Sequence, residues 1–236
     1  MAARSALSEE SARFSGRVEA FMGGLRSELV QARQEIAAHN RTHANGFNVF
    51  TYIKPNENRL SLILADLLDP KGAHGQGDAF LQVLAKQLGV TIPTGPGRVT
   101  VYREEMTTYI TNSRRRIDIL IDFGTFGIGI ENKPWAEEMP NQVEDYFLHL
   151  GKRYSDNFLL IYLSGKGLSP PSVGVEELIR REEQNQFRLL AYRIGLVDWI
   201  RECIADCEAD SVRWFLRDFL DYVVEEFAPP ETDWRG

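Results

Sequence analysis

The stretch "RRIDILIDFGTFGIGIENKPW", residues 115–135, decides the reading of this chain. Two apolar runs of alternating pattern flank a short Gly-Thr turn, the signature of a β-hairpin. Carboxylates and a lysine interrupt both runs. Alternate side chains of a strand share a face, so Ile117, Ile119, Ile121 and Phe123 are expected to point into the core, and Asp118, Leu120 and Asp122 the other way. On the second strand Ile128 and Ile130 form the core set, leaving Gly127, Gly129, Glu131 and Lys133 on the opposite face. Asp118, Glu131 and Lys133 then converge on one sheet face, beside glycines that leave room for a backbone or a substrate. Two neighbouring carboxylates repel unless they are protonated or joined by a cation. A hard divalent ion such as magnesium resolves the conflict, because it prefers oxygen ligands; a salt bridge from Lys133 to Asp118 or Glu131 is the structural alternative.

Working outward, residues 8–40 read as one long helix, with Val18, Met22, Leu25, Leu29, Ala32 and Ile36 forming a seam that Gly23-Gly24 weakens. It is expected either to pack on the domain or to form a homodimer. A connector rich in Asn and Gly follows; His39 and His43 lack a third ligand for zinc. A helix starts near Asn56 and stops at Pro70, and "DAFLQVLAKQL" (78–88) is another. The intervening "KGAHGQG" has no nucleotide-binding context, and His74 within it reads as a turn residue. "RVTVYREEM" (98–106) precedes the hairpin as a strand. After the hairpin come a helix over 139–151, a strand "NFLLIYLSG" (157–165), a polar loop to about 186, a strand "FRLLAY" (187–192) and helices near 195–207 and 211–227.

The 236 residues suffice for one α/β domain with elaborations, and no apolar run reaches membrane-span length. Nothing resembles a secretory signal, and Cys203 and Cys207 read as small helix residues, so a cytoplasmic protein is expected. The net charge of −7 argues against a protein that coats nucleic acid indiscriminately, but not against a nuclease, which needs acids for metal and only a local basic surface for phosphates.

Asp118 followed by Glu131-Asn132-Lys133 resembles the core motif of the PD-(D/E)XK nuclease superfamily. Upstream, "FNVFTYIKPNENRLSLILADLLDPKGAHGQGDAFL" resembles the opening of a bacterial branch of it, in which a glutamate on the first core helix, here Glu57, supports the metal site. Downstream, Gln142 and Tyr146 form the Gln-x-x-x-Tyr pattern of RecB-like members. The resemblance covers residues 46–163; Ile117 stands where the superfamily's proline would be.

The resemblance implies a restriction-endonuclease-like α/β core, a central mixed sheet flanked by helices, with a long N-terminal helix and C-terminal helices. The expected division is an N-terminal helix over 1–45 and a nuclease-like domain over 46–236. It further implies Asp118 and Glu131 as ligands of Mg2+ or Mn2+, and Glu57 as a further ligand or one acting through water. Lys133 would orient or activate the attacking water. Gln142 and Tyr146 would position Lys133 or bind the nucleic-acid backbone. The arginines 114–116 offer phosphate contacts or a solvated strand entrance. The implied activity is phosphodiester hydrolysis, with DNA as the expected substrate, in defence against phage, restriction or repair. A catalytically silent binding or regulatory module is the alternative, and the segment after 165 leaves room for an activator or partner protein.

Overall fold

A computed structural model describes residues 2–44, 46–92, 99–107, 115–135 and 138–228. The chain divides into two compact units, Met1–Asn48 and Val49–Gly236. The first is essentially one helix, α1 (Ala2–His43), which runs unbroken through Gly23-Gly24 and exposes Val18, Met22, Leu25, Leu29 and Ile36. No described helix is long and apolar enough to cross a membrane.

The second unit begins with α2 (Val49–Ile53), α3 (Glu57–Leu68) and α4 (Ala79–Leu88). Asn56 caps α3 as its side chain accepts from the Arg59 N–H. The sheet follows: β1 (Thr100–Met106), β2 (Arg116–Asp122) and β3 (Gly127–Lys133) are antiparallel neighbours. Helix α5 (Gln142–Tyr154) crosses to β4 (Phe158–Ser164), and α6 (Val175–Glu183) crosses to β5 (Phe187–Ala191). β4 and β5 each join in parallel, giving the order β1-β2-β3-β4-β5. A π-helical turn (Tyr192–Leu196), α7 (Val197–Asp206) and α8 (Asp210–Glu226) complete the unit. This mixed sheet flanked by helices is a restriction-endonuclease-like α/β fold.

Both faces of the central strands β2, β3 and β4 are buried, whereas β1 is largely exposed. Ile119, Ile121, Ile128 and Ile130 join a core with α3, α4, α7 and α8, while Leu120 and Leu160 pack against Val143, Tyr146 and Leu150 of α5. The room beside the β3 glycines is therefore filled by helix α5: a Cβ on Gly127 would lie 2.2 Å from the Tyr154 ring, and one on Gly129 3.1 Å from Leu150.

Three expectations need correction. Ile117 packs with the α5-side core, not with Ile119. Arg103 pairs with Ile119 and Glu105 with Ile117, but Glu104 and Asp118 between them form no bridge. Glu104 has φ 51°, so the ladder is distorted at one pair and the alternation fails there. The polar loop before residue 186 contains α6, held by ion pairs from Glu177 to Arg180 and Arg181, with only Leu178 buried. Helix α5 starts at Gln142 rather than 139, because Asn141 adopts a left-handed φ of 59°.

At the end of the sheet, Gly165 donates its N–H to the Lys133 carbonyl at 2.9 Å, and a Cβ there would stand 1.8 Å from the Pro134 carbonyl oxygen. Gly165→Ala is expected to cost about 1–3 kcal/mol through forced backbone shifts, read as a lower denaturation midpoint at unchanged slope.

His149 on α5 is fully buried, and burial followed by the charge of Arg153 lowers its pKa to about 4. In the unfolded chain it titrates near 6.5. Above that pH the ring is neutral in both states. Between 6.5 and 4 only the unfolded chain takes up the proton, so stability falls as the pH drops through that window, by up to roughly 3 kcal/mol. Urea midpoints of the protein and His149→Gln at pH 7, 5.5 and 4.5 check this: the variant should lose less on acidification.

Candidate active site

The polar cluster forms where β2 and β3 separate. Their pairing is last made at Ile119 and Ile130, so Asp118 and Glu131 lie just past the ladder. There the Asn132 N–H donates to Asp118 Oδ2 at 2.7 Å, a side chain taking the part of a strand partner. Glu131 is fully buried. Its Oε1 meets Lys133 Nζ at 2.7 Å and accepts from Gln142 Nε2 at 2.6 Å. Lys133 Nζ also reaches Oε1 of Glu57, in the first turn of α3, at 3.3 Å. Strand β2, strand β3 and helix α3 thus bring Asp118, Glu131, Lys133 and Glu57 together.

Gln142 and Tyr146, four residues apart, share the inward face of α5. Gln142 Nε2 also donates to the Tyr146 hydroxyl at 2.8 Å, and that hydroxyl donates to the Arg116 carbonyl at 2.6 Å. Both residues are buried. In this structure their polar atoms fix Glu131 and the end of β2. Arg115 is ion-paired with Asp145 and donates to the Pro140 carbonyl, and Arg116 pairs with Glu104 at 3.2 Å; Arg114 lies outside the described residues. His74 is a turn residue, its Nδ1 accepting from the Gln76 N–H at 3.0 Å and its Nε2 meeting the Asp69 carbonyl at 2.9 Å.

Asn132 was missed as a structural hub. It is fully buried, with Nδ2 donating to Ser61 Oγ at 3.0 Å and to the Glu57 carbonyl at 3.4 Å, while Oδ1 accepts from the Tyr192 hydroxyl at 2.6 Å. It ties the Glu57-bearing turn, the Asp118 strand and the π-helical turn to one residue. The available signal was an amide inside an apolar strand, together with Ser61 one helical turn beyond Glu57.

Burial raises the Asp118 pKa, and the Glu57 charge adds to this against the Asn132 N–H and Lys133, which lower it. Glu131 is pushed up to about 8, first by burial and then by the charge of Asp118. Burial alone would lower Lys133, but Glu131, Glu57 and Asp118 hold it above the ordinary lysine value. Burial also raises Tyr146, with Glu131 adding. The cluster is thus short of positive charge despite Lys133.

Among the described residues no three His, Cys, Asp or Glu side chains are disposed to hold a metal ion as they stand, since Lys133 lies between Glu57 and Glu131. The donor chemistry nevertheless fits a hard divalent cation. Asp118 and Glu131 are oxygen donors with raised pKa values, and Glu131 Oε2 is buried without a hydrogen-bond partner.

The sequence model of the PD-(D/E)XK nuclease superfamily matches residues 47–221. The chain belongs to that superfamily, whose members are usually nucleases and generally use divalent metals. No curated protein and no solved structure matches the chain.

Proposed function

We propose that this chain is a divalent-metal-dependent nuclease that hydrolyses phosphodiester bonds in DNA, of the Gln-x-x-x-Tyr branch. The observation that carries the reading is the convergence of Asp118, Glu131, Lys133 and Glu57, with Oε2 of Glu131 buried and unpartnered. Asp118 and Glu131 would hold Mg2+ or Mn2+, with Glu57 as a further ligand or acting through water. When bound, the ion supplies positive charge against the attacking and leaving oxygens of the phosphodiester. Lys133, released from Glu57, orients the attacking water or steadies a phosphate oxygen, and Gln142 with Tyr146 keeps Glu131 in place. Helix α1 is assigned to packing or homodimerisation. Defence against phage, restriction and repair are the settings the reading suggests.

A second reading has its own support. Lys133 already serves as a cation for Glu57 and Glu131, as a silent nuclease-like module would require. Cleavage of linear DNA, circular DNA and RNA, with magnesium, manganese or chelator, decides between them. Metal-dependent cutting by the protein and its loss in a folded Asp118→Asn variant support the enzyme. Cutting that persists in the chelator or in the variant overturns the site, and absence of both cutting and metal binding leaves the silent module.

A further inference from the structure

Immediately after the Lys133 strand end, the chain places a large aromatic ring in the open. Trp135 is 46% exposed, yet it is held firmly. Its Nε1 donates to Glu226 Oε1 at 3.0 Å, and its ring stacks on Phe227 with centroids 5.7 Å apart and planes inclined by 24°. Phe227 in turn lies 4.2 Å from the ring of buried Tyr192, whose hydroxyl bonds Asn132. A column of three rings therefore runs from the site's polar hub to the surface and ends on an indole whose orientation is set.

The indole borders a cleft of about 450 Å3 lined also by Lys133, Tyr162, Ser164, Lys166 and Ser169. Register places Lys166 there: Ser164 pairs with Lys133 across β3 and β4, and Gly165 packs directly on the Pro134 carbonyl. Lys166 is exposed. The acid on this wall, Glu138, is occupied by the Val143 N–H at 3.0 Å and by the Ser172 N–H and hydroxyl at 3.2 and 2.5 Å. The cleft thus joins an oriented aromatic surface to the exposed Lys166, the pairing that tracks a nucleic-acid strand by stacking a base and neutralising its phosphate.

We propose that this cleft is a nucleotide subsite in which Trp135 stacks one unpaired base and Lys166 contacts its phosphate, next to the bond being cut. The proposal rests on the nuclease reading and deepens it by naming the substrate class. A base inside a duplex already has both faces stacked, so an open platform selects a single strand or a locally unpaired nucleotide. DNA is the strand expected, and RNA is a separate arm of the test.

The test measures fluorescence anisotropy of labelled oligonucleotides in chelator and again in calcium: single-stranded DNA, RNA of the same sequence, blunt duplex, and an abasic strand that keeps phosphates without bases. The single strand should bind about tenfold tighter than the duplex. Trp135→Ala should weaken it about tenfold to a hundredfold, the effect of removing one aromatic platform, and Trp135→Phe only a few-fold. Lys166→Ala should weaken ordinary and abasic strands alike. The abasic strand should bind the protein and Trp135→Ala equally, which also shows that the variant keeps its fold. Equal binding of ordinary strands by the protein and Trp135→Ala, or of abasic and ordinary strands by the protein, overturns the subsite. Tighter RNA than DNA keeps the platform and overturns the expected strand. Metal-dependent cutting with Trp135→Ala unaffected sinks the subsite alone, whereas neither binding nor cutting by the protein sinks the nuclease reading and the subsite with it.

Discussion

Lys133→Met is expected to destabilise the unit Val49–Gly236 by about 3–5 kcal/mol near pH 8, the cost of breaking a buried ion pair from one side, and, on the nuclease reading, to abolish cleavage. Glu131 has no exposure, and among the described residues the cation paired with it is Lys133, with Nζ at 2.7 Å. With the ammonium gone, the carboxylate must stay charged in a dry site or take up a proton. Burial already raises its pKa to about 8. A carboxyl with a raised folded pKa favours folding below its unfolded value and loses that contribution as pH rises through the folded one. The deficit of Lys133→Met should therefore be larger at pH 9 than at pH 5. Adding Glu131→Gln removes the stranded charge while keeping an oxygen for Gln142, so the double variant should recover much of the loss. Denaturant unfolding of the four proteins gives the coupling directly. A Lys133→Met protein as stable as the parent would mean that Lys133 is not the counter-ion of Glu131.

The second large effect is expected at Asn132. Asn132→Leu leaves the Tyr192 hydroxyl and Ser61 hydroxyl without their partners in a fully buried region. Each stranded group costs about 1–3 kcal/mol, so a total of roughly 2–6 kcal/mol is expected. Removing both ends of a buried hydrogen bond is far milder than removing one, so Tyr192→Phe should restore part of the stability in the double variant. Activity should not follow. The Glu57 turn remains detached from the Asp118 strand, and on the nuclease reading loss of such supporting contacts lowers cleavage about tenfold to a hundredfold. Full activity in a folded Asn132→Leu protein would remove Asn132 from any positioning role.

The hairpin, its turn and the meeting of Asp118, Glu131 and Lys133 were readable because charged residues in apolar alternation leave few places to go. Glu57 was readable through the surrounding motif, and its position in the first turn of α3 follows from the Asn56 cap. The side of the sheet taken by Ile117 was not readable, since it accompanies a break in the β1–β2 ladder at Glu104 and Asp118 that no pattern of residue types announces. Helix α6 was hidden because one buried leucine gives too little periodic signal. The spacing of Gln142 and Tyr146 revealed a shared helical face but not that Glu131 lay beneath it. Arginine charge alone could not show that Arg115 already belongs to Asp145.

The pairing of Lys133 with both Glu57 and Glu131 also bears on the order of events in the life of the protein. A site that carries its own ammonium between its acids can assemble before any divalent ion arrives. On the nuclease reading, the amount of folded protein would then be independent of the metal supply, and ion availability would set only what fraction of it can cut. Such an enzyme could accumulate at rest and be armed within the time an ion takes to displace one side chain.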